Sequence, residues 1–403
     1  MKLAYFVHDL SDPAVRRRVR MLQAGGAEPV VLGFRRTESA PQTVEGAPAI
    51  DLGRTYDARL GHRALATVAA ALTSSRWKPL LAGCQAVMAR TLEMLAVASA
   101  ARRACGLAGP LVYECLDIHR LMLGEGPRSR VMRGLERALL RRSDLLIVSS
   151  PAFLDSYFKP RQGVGGDLAI RTLLVENKVL ELGGDARARV PPPPPGPPWR
   201  IAWMGAIRCR KSLDILTDLA RRRPELVEVA IHGRPAYTEF VDFDRQVATS
   251  PNVDFGGPYA AEDLPALYGR AHFAWAIDFM EEGQNSSWLL PNRVYEASRF
   301  GAAPIALGEV QTGRFLADLG LGLRLSAPGK LEAVLEHLTP ADYLQLRRGL
   351  AAAPVGAFVA READCCALVA AIGQAATSRQ ADKSPDFGSK ASRVTLGGVS
   401  LDR

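Results

Sequence analysis

The run VPPPPPGPP at residues 190–198 divides this chain. Proline has a fixed φ and no N–H to donate, so such a run continues neither a helix nor a central strand. It acts as a semi-rigid spacer. Residues 182–199 are therefore a linker, and each side has to build its own core. With 403 residues, 48% of them hydrophobic, there is material for two domains. On both sides, apolar runs of strand length alternate with helical patterns, which predicts parallel α/β sheets.

The first half opens with an apolar strand at 3–7. Ser11-Asp12-Pro13 then supplies a helix cap followed by proline at the first helical position. Val15, Val19 and Leu22 form the core stripe of that helix, Gly25-Gly26 ends it, and 29–34 is the next strand. This βαβ unit lacks the GxGxxG of a dinucleotide site. Further strands are expected at 86–89, 111–115, 144–149 and 173–177, with helices at 65–72 and 93–105. Asp117 and His119 fall just past the end of strand 111–115, where open α/β sheets bind ligands. Asp117 is suited to take a proton from a hydroxyl, or else to cap the next helix. His119 is the substitute candidate, or a structural histidine.

The second half has strands at 200–204, 228–232, 253–255 and 273–277. Gly205 and Gly233 end two of them and allow close backbone approach. Arg208, Arg210 and Lys211 precede a helix at 213–222, and Tyr259 closes a Gly-Gly-Pro-Tyr loop. The richest stretch is 285–307, NSSWLLPNRVYEASRFGAAPIAL. Asn285, Ser286 and Ser287 suit a helix entrance, Pro291 a first turn, Gly301 a stop, and 303–307 a buried strand. Asn292, Arg293 and Glu296 lie in the early turns of that helix. A helix N-terminus suits a phosphate, Arg293 adds charge, and Glu296 can accept two hydrogen bonds from vicinal hydroxyls. The alternative is a surface Arg–Glu pair at i,i+3. Helices follow at 331–338, 341–350 and 362–376, and the polar residues 377–403 read as a disordered tail.

The net charge of +9 favours an anionic partner: nucleic acid, an acidic membrane face or a phosphorylated substrate. One basic helix carries Arg16, Arg17, Arg18 and Arg20 on its polar face. A second, 127–142, sets Val131, Leu135 and Leu139 on one face among Arg128, Arg130, Arg133, Arg137, Arg141 and Arg142. Two such helices suggest attraction to an anionic membrane surface rather than plain solvation. RNA binding is disfavoured, because the arginines have no interleaved aromatics. Six cysteines without metal spacing indicate a reduced, cytosolic chain. Asp242-Phe243-Asp244 is not expected to hold a metal, being far from the 285–307 segment. No apolar stretch is long enough to span a bilayer.

The segment 285–307 resembles the donor-binding segment of GT-B glycosyltransferases, a Pro-x-Lys/Arg-x-x-Glu helix followed by a glycine and a proline-bearing strand. The matching residues are Pro291, Arg293, Glu296, Gly301 and Pro304. The opening Asp12-Pro13-Ala14-Val15 and the run Val112-Tyr113-Glu114 are similar to that family's acceptor domain. The resemblance implies an α/β GT-B fold, two Rossmann-like doubly wound domains facing a central cleft. Residues 1–181 would bind acceptor, 200–350 would bind the donor, and 351–376 would hold a helix crossing back to the first domain. It implies a hexosyl- or glucuronosyl-type transferase moving sugar from a nucleotide diphosphate sugar, UDP being the family's usual carrier, to a lipid-linked or oligosaccharide acceptor.

Donor residues would be Arg208, Lys211, Gly233, Tyr259, Asn285, Ser286, Ser287, Asn292, Arg293 and Glu296. Asp117 would be the base. Asp12, Arg16, Arg20, His119, Arg130, Arg133 and Arg137 would line the acceptor or membrane side. No cofactor, metal or nucleic acid is expected. The protein would sit in the cytoplasm, peripherally on the inner face of the cytoplasmic membrane, in exopolysaccharide or capsule assembly. Many retaining members carry a second Glu eight positions before the first, where this chain has Trp288, which argues for inversion. Two other readings are a nucleotide-sugar epimerase of the same fold, for which no acid pair is found, and a non-catalytic membrane-surface scaffold, against which Asp117, Arg293 and Glu296 argue.

Overall fold

The computed structural model describes residues 1–56, 60–183, 190–381 and 394–395. The chain divides into two compact units, one holding Met1–Glu176, Leu180–Leu182 and the residues from Ala360 on, the other Asn177–Val179 and Gly183–Val359.

In the first unit, β1 (Lys2–Val7), β2 (Glu28–Arg35), β3 (Thr43–Val44), β4 (Ala47–Arg54), β5 (Ala86–Arg90), β6 (Leu111–Cys115), β7 (Leu145–Val148) and β8 (Arg171–Leu174) form one sheet. Its order is β8-β7-β6-β5-β1-β2-β4-β3, with Val394–Thr395 paired beside β8. All described neighbours are parallel except β3 and β4. The order reverses between β1 and β5, so the crevice beyond their carboxyl ends is this unit's topological switch point.

The helix Pro13–Ala24 begins as expected: Asp12 Oδ1 accepts from Ala14 N–H at 2.8 Å, and Val15, Val19 and Leu22 are buried. It packs on the long helix Glu362–Ala381. Gly25 lies against that helix, where a Cβ would stand 2.3 Å from Cys365 O.

Three expectations need correction here. Arg18 is not on the solvated face but buried, its Nε bonded to Glu114 of β6. On the helix Pro127–Leu140, Val131 and Leu135 are exposed, and the buried side is Ser129, Glu136, Leu139 and Leu140. Leu139 thus parts from Val131 and Leu135, with which it was expected to share a face, and Glu136 is buried because Tyr113, Tyr157 and Gln162 satisfy its carboxylate. The last helix runs to Ala381, so 377–381 is helical; the rest of the expected tail lies outside the described residues except Val394–Thr395.

The chain passes between units at β9 (Val179–Leu180) and returns near Ala360. Of the expected linker, 184–189 lies outside the described residues, and Trp199 already belongs to a strand.

The second unit contains β10 (Trp199–Ile207), β11 (Val227–Pro235), β12 (Val253–Gly257), β13 (Phe273–Trp275), β14 (Ala303–Leu307) and β15 (Leu323–Leu325). All are parallel, in the order β12-β11-β10-β13-β14-β15. Here the order reverses between β10 and β13. Trp199, Trp203, Trp275, Ile201 and Phe273 fill the core beneath helices that include Arg210–Arg222 and Asn292–Phe300. This unit extends to Val359, not 350, since Leu350, Phe358 and Val359 pack in its core. The segment expected to cross back therefore starts about ten residues later than 351, at Ala360.

Candidate active site

The second unit's switch point gathers charge. Gly205 and Gly233 do not end their strands as expected: they are paired in register inside β10 and β11, which continue to Ile207 and Pro235. A Cβ on Gly233 would lie 1.8 Å from Gly205 O, so only glycine permits this approach. Just beyond β10 stands Arg208, and just beyond β13 stands Asp278. The Asp278 carboxylate is buried and accepts from Met280 N–H at 2.8 Å and Ser286 Oγ–H at 2.9 Å. Arg208 Nη2 approaches it to 3.6 Å and Arg293 Nη2 to 3.9 Å. Burial alone would raise its pKa; Arg293, then Arg208, and the two hydrogen bonds outweigh that and hold it below the usual range.

Two guanidinium groups thus share one carboxylate, both beyond hydrogen-bonding distance of it. Arg293 makes only long contacts to Met204 O (3.5 Å) and Ile277 O (3.4 Å), and its Nε is buried without a partner. Excess positive charge in a loosely held, partly desolvated arrangement is the electrostatic form of an anion site.

On the same helix, Glu296 Oε2 accepts from Tyr268 O–H at 3.3 Å. Burial, with the Glu296 charge, pushes both Tyr259 and Tyr268 well above the ordinary tyrosine pKa, so both stay neutral donors. Lys211 Nζ bonds both Glu282 oxygens, at 2.9 and 2.8 Å, and sits 4.3 Å from the Phe279 ring centre. Asn292 is exposed at the first helical position.

The entrance differs from expectation. Asn285–Trp288 is a short helical turn of its own, and Pro291 is the cap of Asn292–Phe300 rather than part of its first turn. Ser286 and Ser287 fasten the preceding loop: their Oγ atoms accept from Glu281 N–H (2.8 Å) and Gly283 N–H (3.1 Å). Asn285 is buried. The polar side chains serve the 278–287 loop because Asp278 needs donors there.

In the first unit, Asp117 is exposed past β6, its backbone carbonyl facing Cys115 Sγ at 3.5 Å. His119 Nδ1 accepts from Leu121 N–H at 3.2 Å and caps the short turn Arg120–Met122; desolvation lowers its pKa. Asp12 pairs with His8 Nε2 at 3.1 Å. Burial raises the Asp12 pKa, but His8 and the Ala14 N–H outweigh it and hold it at about 2. Arg16 pairs with Glu45 at 2.6 Å, and Arg20 is half-buried. Arg130 is exposed. Arg133 is tied to the carbonyls of Met122 and Gly124, and Arg137 to Asp167. Backbone carbonyls at a turn and a neighbouring carboxylate thus engage donors of these two arginines.

Two features escaped sequence reading. Asp278 lies directly beyond a strand at a switch point, a position rule that could have found it. The other is a buried cluster. Glu114 bonds Arg18 Nε (2.6 Å), Arg90 Nε (2.8 Å) and Tyr5 O–H (2.6 Å). Burial opposes its charge, but Arg90 and then Arg18 hold its pKa at about 2. Only the tertiary fold brings these four together.

The chain is 44% identical over 376 residues to the succinoglycan biosynthesis protein ExoL of Rhizobium meliloti (strain 1021), covering 92% of each. The chain belongs to the ExoL family. No family model matches it. Among solved structures, the lipopolysaccharide outer core galactosyltransferase WaaB aligns at a TM-score of 0.57 and 14% identity, over 95% of this chain and 100% of that one. An E. coli trehalose-6-phosphate structure bound with UDP-2-fluoro glucose aligns at 0.54 and 11%, over 95% and 98%. The Burkholderia vietnamiensis alpha,alpha-trehalose-phosphate synthase (UDP-forming) aligns at 0.51 and 13%, over 95% and 99%. This ExoL-family chain therefore has the fold of the GT-B glycosyltransferases, with two Rossmann-like units.

Proposed function

We propose that the protein transfers a sugar from a UDP-linked donor to a hydroxyl of a lipid-linked or saccharide acceptor, with inversion, in the assembly of an exopolysaccharide. The observation that carries this reading is the convergence of Arg208 and Arg293 on Asp278 at the switch point, with Arg293 Nε buried and unpartnered. An incoming diphosphate would take up these donors, and Lys211 would exchange Glu282 for it. The relatives support the class of reaction: ExoL is a succinoglycan biosynthesis protein, and the aligned structures include a galactosyltransferase and a UDP-forming synthase.

The chemistry is a single displacement. The acceptor oxygen attacks the anomeric carbon as its bond to the diphosphate oxygen breaks. Asp117 takes the hydroxyl proton, and the leaving diphosphate carries the bonding pair. Arg293, Arg208 and Lys211 stabilise that developing charge, which is where electrostatic catalysis acts. Glu296 accepts from the ribose hydroxyls, with Tyr268 holding it in place. Transfer from a panel of α-linked UDP-sugars to a lipid-linked saccharide, read by the product's anomeric NMR coupling, tests the proposal. A β-linked product is expected. An α-linked product overturns inversion, and absence of transfer with every nucleotide sugar overturns the activity.

A further inference from the structure

The helix Asn292–Phe300 has a second face that the donor reading does not use. Ser298 stands two residues past Glu296, about 200° round the helix. It lines a cavity of about 110 Å³ whose walls all belong to the second unit. Ser298 is 4% exposed, and its Oγ has no hydrogen-bond partner. A buried hydroxyl in that state costs stability until a partner meets it.

Arg347, on the helix Pro340–Ala352, lines the same cavity. Its guanidinium lies against Gly301, where a Cβ would stand 3.2 Å from Nη2. Gly301 closes the helix at a φ of 91°, so another residue there would strain the backbone and crowd the guanidinium. Among the described residues Arg347 has no carboxylate partner, and its hydrogen bond to Tyr343 Oη is a long 3.4 Å. Arg299 adds a second cation to the wall. Apart from Val190, the lining comes from segments 264–277, 297–308 and 343–361, which hold no Asp or Glu. The rest of the wall is apolar, with Phe300, Leu350, Val355 and Phe358. A guanidinium fork and a hydroxyl donor on an acid-free, apolar cavity are what recognises a carboxylate or phosphoryl group.

We propose that the cavity at Ser298, Gly301 and Arg347 binds a small organic oxyanion, a carboxylate or phosphomonoester carried on a short apolar body. The Arg347 guanidinium and the Ser298 hydroxyl donate to its oxygens. A dry cavity of about 150 Å³ accepts benzene. This one is smaller, but its rim is exposed at Ala351 and Val355, so the charged head enters and the body rests on Leu350 and Val355. Ser298 lies five residues beyond Arg293, about 7 Å along the axis and on another side of the helix. The site is therefore separate from the donor site, and each can fail without the other.

The test is calorimetric titration of the full chain with benzoate, phenyl phosphate and, as an uncharged control of similar shape, benzyl alcohol. At least one of the two anions should bind at millimolar concentration or below, and benzyl alcohol should not. Arg347→Ala should weaken binding about tenfold or more, and Ser298→Ala about threefold. Arg347→Lys keeps the charge without the fork and should fall between wild type and Arg347→Ala. Circular dichroism checks that each variant is folded; if Arg347→Ala is not, Ser298→Ala and Arg347→Lys still read the loss. Saturating UDP should leave the titration unchanged. Failure of both anions to bind the wild type overturns the proposal, and so does wild-type affinity in the folded variants. Displacement of the anion by UDP also overturns it, by moving the anion to the donor site.

Discussion

Arg90 and Glu114 stand directly opposite one another on neighbouring parallel strands, Arg90 Nε 2.8 Å from Glu114 Oε2, and both are buried. With Arg18 and Tyr5 on the same carboxylate, the pair ties β1, β5, β6 and the first helix together beneath the crevice of the first unit.

Replacing Glu114 with alanine leaves two buried guanidinium groups facing each other. A loss of about 3–5 kcal/mol is expected, measured by urea denaturation. Because the folded Glu114 pKa is about 2 against an ordinary 4.5, its contribution is present above 4.5 and is lost as pH falls towards 2. Glu114→Gln should show a shallower acid limb than wild type.

Glu136 behaves in the opposite sense. It is buried with hydrogen bonds from Tyr113, Tyr157 and Gln162 and no cation, and burial raises its pKa to about 7. Its stabilising contribution is full below the ordinary 4.5 and declines as pH rises through 7. Glu136→Gln should flatten the stability profile between those values, read as Tm against pH; an unchanged profile would count against this assignment.

Much of the site was legible because its signals are local. Arg293, Glu296 and Gly301 announce a helix entrance and stop within ten residues, whereas Gly205 and Gly233, read as strand ends, lie inside strands that run two residues further. Arg18 was misread because its helix pattern is amphipathic either way; only a carboxylate ninety-six residues on makes burial tolerable. Leu65, Val68 and Leu72 have the spacing of a core face yet are exposed, and periodicity alone does not say which side of a helix meets solvent.

Asp117→Asn should reduce kcat by about 10²–10⁴ while leaving UDP affinity intact, since a base acts only in the transition state. An equal loss of nucleotide affinity would place Asp117 outside the role of base.

Glu296→Ala removes the proposed acceptor for ribose hydroxyls. A loss of about 1–2 kcal/mol in UDP binding is expected by calorimetry, with a smaller effect on kcat than on KM.

The most direct measurement is thermal unfolding with and without UDP, on wild type and Arg293→Ala side by side. At about 100 times its Kd, UDP should stabilise the wild type by roughly 2.7 kcal/mol and the variant hardly at all. Equal stabilisation of both proteins, or of neither, would contradict the donor site proposed at Arg208, Asp278 and Arg293.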